Sequence, residues 1–342
     1  MVLRSVQEAD GVWTSLGILA SETSIARCAS RITECLSGRR WHHVSVESPS
    51  FDDVAIAYFS RDVFAKSGWD RGSESRKLVD AANRAGRLDW MQLFSAGADH
   101  PAYRDLRTRG VSLTTASGAS AEPVALTAFT GMLMLSRGFI ATLRAQSERR
   151  WLDVSQLEQP ADLSTQTALV IGTGPVGIEI GRLCRAVGMT TIALRRSDAA
   201  CADFENTLAY TRLGEVLPAA DWIFVACPLT ATTFHLLDRA ALAIVKPGAS
   251  IINVSRGAVV EESALIDALA ARRLAGAYLD VFATEPLDKT SPLWDLPNVI
   301  LTPHFAARSS GLDSRVDAIF LENLSRWTNR RPLLNSVPLG PI

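Results

Sequence analysis

Val170-Ile-Gly-Thr-Gly-Pro-Val-Gly-Ile-Glu-Ile-Gly181 is the stretch on which the fold turns. It continues a short apolar run that starts at Ala168 and ends at Ile171, unbroken as in a strand buried on both faces. Glycines follow at 172, 174 and 177, and a helical pattern follows them. Gly172 permits a tight turn, Gly174 lets backbone approach a pyrophosphate, and Gly177 lets the new helix pack closely on the strand. The helix N-terminus then offers free N–H groups to the phosphates. A second apolar run, Thr190 to Leu194, completes a βαβ unit, the context in which this glycine spacing signals a dinucleotide site.

The residue ending that second run bears on cofactor choice. An Asp or Glu there holds the ribose 2′-hydroxyl of NAD. This chain has Arg195, followed by Arg196 and Ser197. Two guanidiniums and a hydroxyl suit a 2′-phosphate, whose charge a carboxylate would repel. The expected cofactor is therefore NADP, with NADPH preferred over NADH. One charge-assisted hydrogen bond, about 1.5–3 kcal/mol, corresponds to about ten- to hundredfold preference.

Outward from this unit, further strands are expected at Asp221 to Ala226, Ser250 to Val254, Ala277 to Phe282 and Val299 to Thr302, giving six. A helix over Glu261 to Arg272 repeats Ala264, Leu265, Ala268 and Leu269 at helical spacing. Upstream, strands are expected at Trp13 to Leu19, His43 to Glu47, Val54 to Phe59, Trp90 to Phe94 and Val111 to Thr115. The gaps after most of these suit crossover helices and a mostly parallel sheet. Ligands of such a sheet lie at strand C-ends, where Phe59-Ser-Arg-Asp62 and Ser95-Ala-Gly-Ala-Asp-His100 fall. Ser120 opens an almost uniformly apolar helix, expected to be buried all round, preferably at a subunit interface. A last helix is expected over Gly311 to Arg330.

Length and charge narrow the alternatives. The chain has 342 residues, enough for two domains with their own cores, and a formal net charge of −1. That balance argues against broad nucleic-acid or anionic-membrane binding. Cys28, Cys35, Cys184, Cys201 and Cys227 lack the spacing of a zinc site, so no metal is expected. They suit reduced thiols of a cytoplasmic protein. Acidic residues in the first ten positions argue against an export signal. The longest apolar segment, Val124 to Leu135, falls short of the ~20 residues of a membrane span.

Three late segments carry reactive side chains after expected strands: Asn253-Val-Ser-Arg256-Gly257, Asp280-Val-Phe-Ala-Thr-Glu285-Pro286 and Thr302-Pro-His304. Strand C-ends of an open α/β sheet converge on one crevice. Arg256, Glu285 and His304 are thus expected beside the nicotinamide. Arg supplies a fixed fork for a carboxylate, His a proton near neutral pH, and Glu keeps the imidazole charged and oriented. His42, His43, His100 and His235 have no carboxylate motif nearby and are expected to be structural.

With these motifs in view, the chain resembles the D-isomer-specific 2-hydroxyacid dehydrogenase family. The likeness runs from about Asp53 to Val337 through Ser-Ala-Gly-Ala-Asp-His at 95, Gly-Thr-Gly-Pro-Val-Gly at 172, Cys-Pro-Leu-Thr at 227, Asn-Val-Ser-Arg-Gly at 253, Leu-Asp-Val-Phe at 279, Glu-Pro at 285 and Thr-Pro-His at 302. The first fifty residues are less typical. The resemblance implies an α/β fold of two Rossmann-like domains. A doubly wound dinucleotide-binding domain over 118–308 is inserted in a flavodoxin-like substrate domain built from 1–117 and 309–342. It implies that His304 donates the proton, Glu285 pairs with it, and Arg256 binds the carboxylate and polarises the carbonyl. Ala96 and Gly97 would offer backbone N–H groups to the same carboxylate. Gly174, Pro175 and Val176 would line the pyrophosphate, Cys227 and Thr232 the cofactor's middle, and Val254 the nicotinamide, with Asp280 holding its carboxamide. Arg195 matches the family position that selects NAD or NADP.

The implied reaction is NADPH-dependent reduction of a small 2-oxoacid, such as glyoxylate or hydroxypyruvate, to the D-2-hydroxyacid. The implied assembly is a homodimer through the helix starting near Ser120. Formate dehydrogenase chemistry is disfavoured because that branch carries Gln where this chain has Glu285, and NAD-linked phosphoglycerate dehydrogenase is disfavoured by Arg195. A corepressor-like, nucleotide-sensing binding module remains the alternative of a different class.

Overall fold

The computed structural model describes residues 15–67, 73–98, 100–153, 155 and 159–338. Trp13 and Thr14 of the first expected strand and Asp99 of the Ser95–His100 motif lie outside them. The chain divides into two compact units: residues up to Ala119 together with those from Ser310 onward, and Ser120–Ser309.

The first unit begins with β1 (Leu16–Leu19), α1 (Glu22–Cys35), β2 (Trp41–Val44), β3 (Val54–Phe59), α2 (Arg61–Ser67), α3 (Glu74–Arg84), β4 (Trp90–Leu93), α4 (Arg104–Thr108) and β5 (Ser112–Thr114). The five strands form one parallel sheet in the order β2-β1-β3-β4-β5. Fully buried β3 and β4 lie inside it, β3 as its unbroken apolar run requires and β4 with its one polar residue, Gln92, accepting from Thr114 Oγ1 at 2.8 Å and Asn323 Nδ2 at 3.0 Å. Ser21 caps α1 and Ser73 caps α3, each accepting a backbone N–H three residues on.

The second unit starts with α5 (Ala121–Ser136) and α6 (Phe139–Ser147). Then come β6 (Thr167–Ile171), α7 (Pro175–Ala186), β7 (Thr190–Arg195), β8 (Asn206–Ala209), α8 (Leu213–Val216), β9 (Trp222–Val225), α9 (Arg239–Ile244), β10 (Ser250–Asn253), α10 (Glu262–Ala270), β11 (Gly276–Leu279) and β12 (Val299–Leu301). Seven parallel strands run β12-β11-β10-β9-β6-β7-β8, one more than the six expected. The additional strand, β8, sits at the sheet edge and buries only Leu208 fully. The strand order reverses direction at β6, so the C-ends of β6 and β9 flank a topological switch point.

Within the chain, α5 is buried along one face. Val124, Ala125, Ala128, Gly131 and Met132 are its buried residues, while Leu126 is 46% exposed. A Cβ at Gly131 would come within 2.4 Å of the Tyr278 ring, so the helix lies directly on β11 of its own unit. One face is thus covered within the chain, and the face that carries Leu126 is not. The chain ends in the first unit with α11 (Leu312–Thr328), whose buried Asp317 accepts from Tyr58 Oη at 2.5 Å and Arg27 Nε at 2.7 Å. No single described helix is long and apolar enough to cross a membrane, although α5 and α6, bent by 77°, pass together on length and composition.

Candidate active site

The glycine turn after β6 has three different spatial demands. Gly172 has φ +104°, in the left-handed region, and a Cβ there would lie 2.7 Å from the Cys227 backbone. Gly177 is tighter: its Cβ would meet Gly172 O at 1.8 Å, so α7 can approach β6 only without a side chain. Gly174 is the opposite case. It stands at the N-cap of α7, no side chain caps the helix, and a Cβ would meet no atom within 4 Å. The open space in front of uncapped helical N–H groups fits a phosphate-bearing cofactor. Pro175 occupies the first helical turn, where its missing N–H costs nothing, and Val176 is half-buried behind it.

Arg195 ends β7 and is half-buried; Arg196 and Ser197 follow, both exposed. Further along, Asp203 pairs with Arg185 at 3.8 Å and Glu215 with Arg212 at 2.6 Å. Across the switch point Cys227 is buried, and burial pushes its thiol up to about 12, which makes it a packing group rather than a nucleophile.

The chemical groups come from three adjacent strands. Asn253, Leu279 and Leu301 are in register across β10, β11 and β12, so the loops after them leave the sheet side by side. Arg256 lies three residues beyond β10, half-buried, with Asn253 Nδ2 donating to its carbonyl at 3.1 Å. Gly257 presses this loop against its neighbour: a Cβ there would fall 1.9 Å from the Phe282 carbonyl carbon. Beyond β11, the Glu285 carboxylate accepts from Phe282 N at 3.1 Å and pairs with His304 Nδ1 at 2.7 Å.

Asp280, 1% exposed, organises the third loop. Its Oδ1 accepts from Thr302 Oγ1 at 2.7 Å and Phe305 N at 2.9 Å, and its Oδ2 from Ala306 N at 3.1 Å. Tyr278 Oη joins the chain of hydroxyls at 2.7 Å from Thr302 Oγ1. His304 sits within this frame at φ +48°, a conformation L residues disfavour, and its N–H donates to Asp280 O at 2.9 Å.

Electrostatics follow from these contacts. The hydrogen bond that His304 donates to Glu285 raises the His304 pKa above its ordinary value, against the opposing pull of burial and Arg256. Burial alone would push the Glu285 carboxyl up. Its bonds to His304 and Phe282 N, with the charges of His304 and Arg256, outweigh that and hold it below the usual range. An imidazolium engaged through Nδ1 leaves Nε2 for a substrate.

Residues 129–306, which hold the glycine turn together with Arg256, Glu285 and His304, match the family described as D-isomer specific 2-hydroxyacid dehydrogenase, NAD binding domain. The chain belongs to the D-isomer specific 2-hydroxyacid dehydrogenase family. It is accordingly an NAD(P)-dependent oxidoreductase of two Rossmann-like α/β domains. Among curated relatives, a glyoxylate reductase of Korarchaeum cryptofilum is 31% identical over 70% of this chain and 73% of its own length. A glyoxylate/hydroxypyruvate reductase B of Pectobacterium carotovorum is 30% identical over 86% of this chain and 91% of its own. A solved dehydrogenase of this family from Xanthobacter autotrophicus, in complex with NADPH and MES, superposes with a TM-score of 0.74 at 25% identity, covering 95% of this chain and 98% of that one.

The remaining expected residues of this dehydrogenase are scattered. Val254 is half-buried immediately after β10. Thr232 is exposed in the turn after β9, and it is the buried neighbour, Thr233, that closes this turn by donating to Pro228 O at 2.6 Å. Ala96 and Gly97 lie in the first unit, in the loop after β4, where Ser95 Oγ donates to Gly97 O at 2.6 Å. Among the other histidines, His42 does have a carboxylate neighbour: its Nε2 is 2.8 Å from Asp53 and its Nδ1 2.8 Å from Ser15 Oγ, tying together residues at the starts of β1, β2 and β3. His43 Nε2 contacts Ala20 O, His100 Nδ1 accepts from Ala102 N, and His235 stacks on Phe234. No group of three potential metal ligands occurs among the described residues.

Proposed function

We propose that this dehydrogenase uses NADPH to reduce a small 2-oxoacid of the glyoxylate or hydroxypyruvate type to the D-2-hydroxyacid. The observation that carries the reading is the 2.7 Å pair of Glu285 and His304, with Arg256 close enough to influence both ionisations. When bound, the nicotinamide supplies the hydride. Arg256 holds the substrate carboxylate with a planar fork and draws charge toward the carbonyl oxygen. His304, protonated at both nitrogens, gives its Nε2 proton to that oxygen and keeps Nδ1–H on Glu285. The Glu285 charge favours the imidazolium before transfer and fixes the ring during it. Ala96 and Gly97 offer backbone N–H groups to the carboxylate, and Asp280 serves the cofactor carboxamide as well as the His304 loop.

The arginines at 195 and 196, with Ser197, support NADPH over NADH, and the names of the two reductases above support the substrate class. Five free cysteines suit a cytoplasmic setting. Leu126, Phe139 and Leu143, all at least 46% exposed along α5 and α6, support a homodimer formed through this region. Initial rates with a panel of 2-oxoacids and both cofactors test the proposal. It expects kcat/KM for glyoxylate or hydroxypyruvate to be about ten- to hundredfold higher with NADPH than with NADH. A preference for NADH, or no turnover of any 2-oxoacid, contradicts it.

A further inference from the structure

Two neighbouring amides of the Glu285 loop are each held by a different carboxylate. Phe282 N donates to Glu285 itself at 3.1 Å. Ala283 N donates to Glu262 Oε2 at 2.9 Å, across 21 residues of sequence. Glu262 is the first residue of α10 and lies six residues beyond Arg256 on the segment that leaves β10. That segment already touches the Glu285 loop at Gly257, where no Cβ can be accommodated beside Phe282 and Ala283. The loop is therefore gripped twice by the strand-to-helix segment that carries Arg256, once by backbone packing and once by a side chain.

We propose that Glu262 is a positioning residue: by accepting the Ala283 N–H, it sets the 280–285 loop so that the Glu285 carboxylate meets His304 Nδ1. The proposal rests on the reading of Glu285 and His304 as the acid pair. Glu262 acts through the loop, not on the imidazole directly. The charged groups facing His304 are Glu285, Arg256 and Asp280, and Glu262 is not among them. The competing explanation of an acid in the first turn of a helix is its favourable interaction with the helix dipole. The two explanations separate on chemistry, because a glutamine keeps the acceptor oxygen and removes the charge.

The test uses the full chain in three variants, Glu262→Ala, Glu262→Gln and Glu285→Gln. The His304 imidazole is titrated by NMR in cofactor-free protein, its signal assigned through its loss in His304→Gln. Kinetics with glyoxylate and NADPH accompany the titration. In Glu262→Ala the His304 midpoint is expected to move down toward the ordinary histidine value, and kcat to fall by roughly ten- to hundredfold through misplacement of the pair. In Glu262→Gln both are expected to stay within about twofold of the unmodified chain, as for a surface change that keeps its contact. An unshifted midpoint in Glu262→Ala, alongside a shifted one in Glu285→Gln, overturns the role of Glu262 alone. Equal effects of Gln and Ala at 262 overturn it in favour of charge at the helix end. An unshifted midpoint in Glu285→Gln overturns the acid pair, and the role of Glu262 with it.

Discussion

Gly172 and His304 both follow strands of the same sheet and both turn the chain through positive φ, at +104° and +48°. The first turn uses the residue that adopts this conformation without steric cost. The second uses histidine, for which left-handed backbone costs roughly 1–2 kcal/mol. Around Gly172 the neighbours simply leave no room for a side chain. Around His304 a buried aspartate accepts three hydrogen bonds from residues 302, 305 and 306, each contributing about 0.5–1.5 kcal/mol, enough to offset the backbone cost. The glycine turn is shaped by what is absent, and the His304 turn by what surrounds it. A reactive side chain in an unfavourable conformation requires a dedicated frame, whereas a backbone cradle requires only glycine.

Several substitutions bear on this contrast. The largest effect is expected for His304→Gln, which keeps a polar side chain but removes the acid. Its kcat should fall by about 10² to 10⁴, with NADPH affinity largely retained in a fluorescence titration. Retained turnover would reduce the His304 turn to a structural feature. Next comes Gly177→Ala, where a Cβ 1.8 Å from Gly172 O forces α7 away from β6. We expect a loss of about 1–3 kcal/mol or more in denaturant unfolding, together with weakened NADPH binding. Arg195→Ser should lower the preference for NADPH over NADH by about tenfold without moving the pH dependence of turnover, measured as the ratio of kcat/KM values. The smallest stability effect belongs to Gly174→Ala. Its Cβ has open space, so unfolding should stay within about 0.5 kcal/mol of the unmodified chain while the cofactor binds less tightly. Equal destabilisation by alanine at 174 and 177 would remove the distinction between the two glycines.

The cradle was legible in the sequence because its parts are contiguous: a buried strand, three glycines and a helix within a dozen residues. The placement of Arg256, Glu285 and His304 on neighbouring loops was legible for a different reason, since each follows a recognisable strand and parallel strands deliver their C-ends to one side. Three features escaped that reasoning. β8 is a four-residue edge strand with a single fully buried residue, Leu208, so it lacks the unbroken apolar run that marks the inner strands. Which face of the uniformly apolar α5 meets the sheet is likewise not readable from its pattern; Gly131 against Tyr278 decides it. The contacts of Asp280, Glu262, Thr233 and His42 join residues between 5 and 27 positions apart, at separations no periodicity encodes.

The central claim is that Glu285 favours the protonated form of His304 and raises its pKa above the ordinary histidine value, and the pH dependence of kcat/KM for glyoxylate reduction by NADPH tests it most directly. The folded pKa of His304 is raised, so the acid form is complete below the ordinary histidine value and is lost only as pH climbs through the raised one. The folded pKa of Glu285 is lowered, so its support is lost only on strong acidification. The account predicts that activity falls on the alkaline side of the ordinary histidine value, and that Glu285→Gln moves this fall to lower pH while reducing its height. An alkaline limb in the same place with and without the Glu285 carboxylate would contradict it.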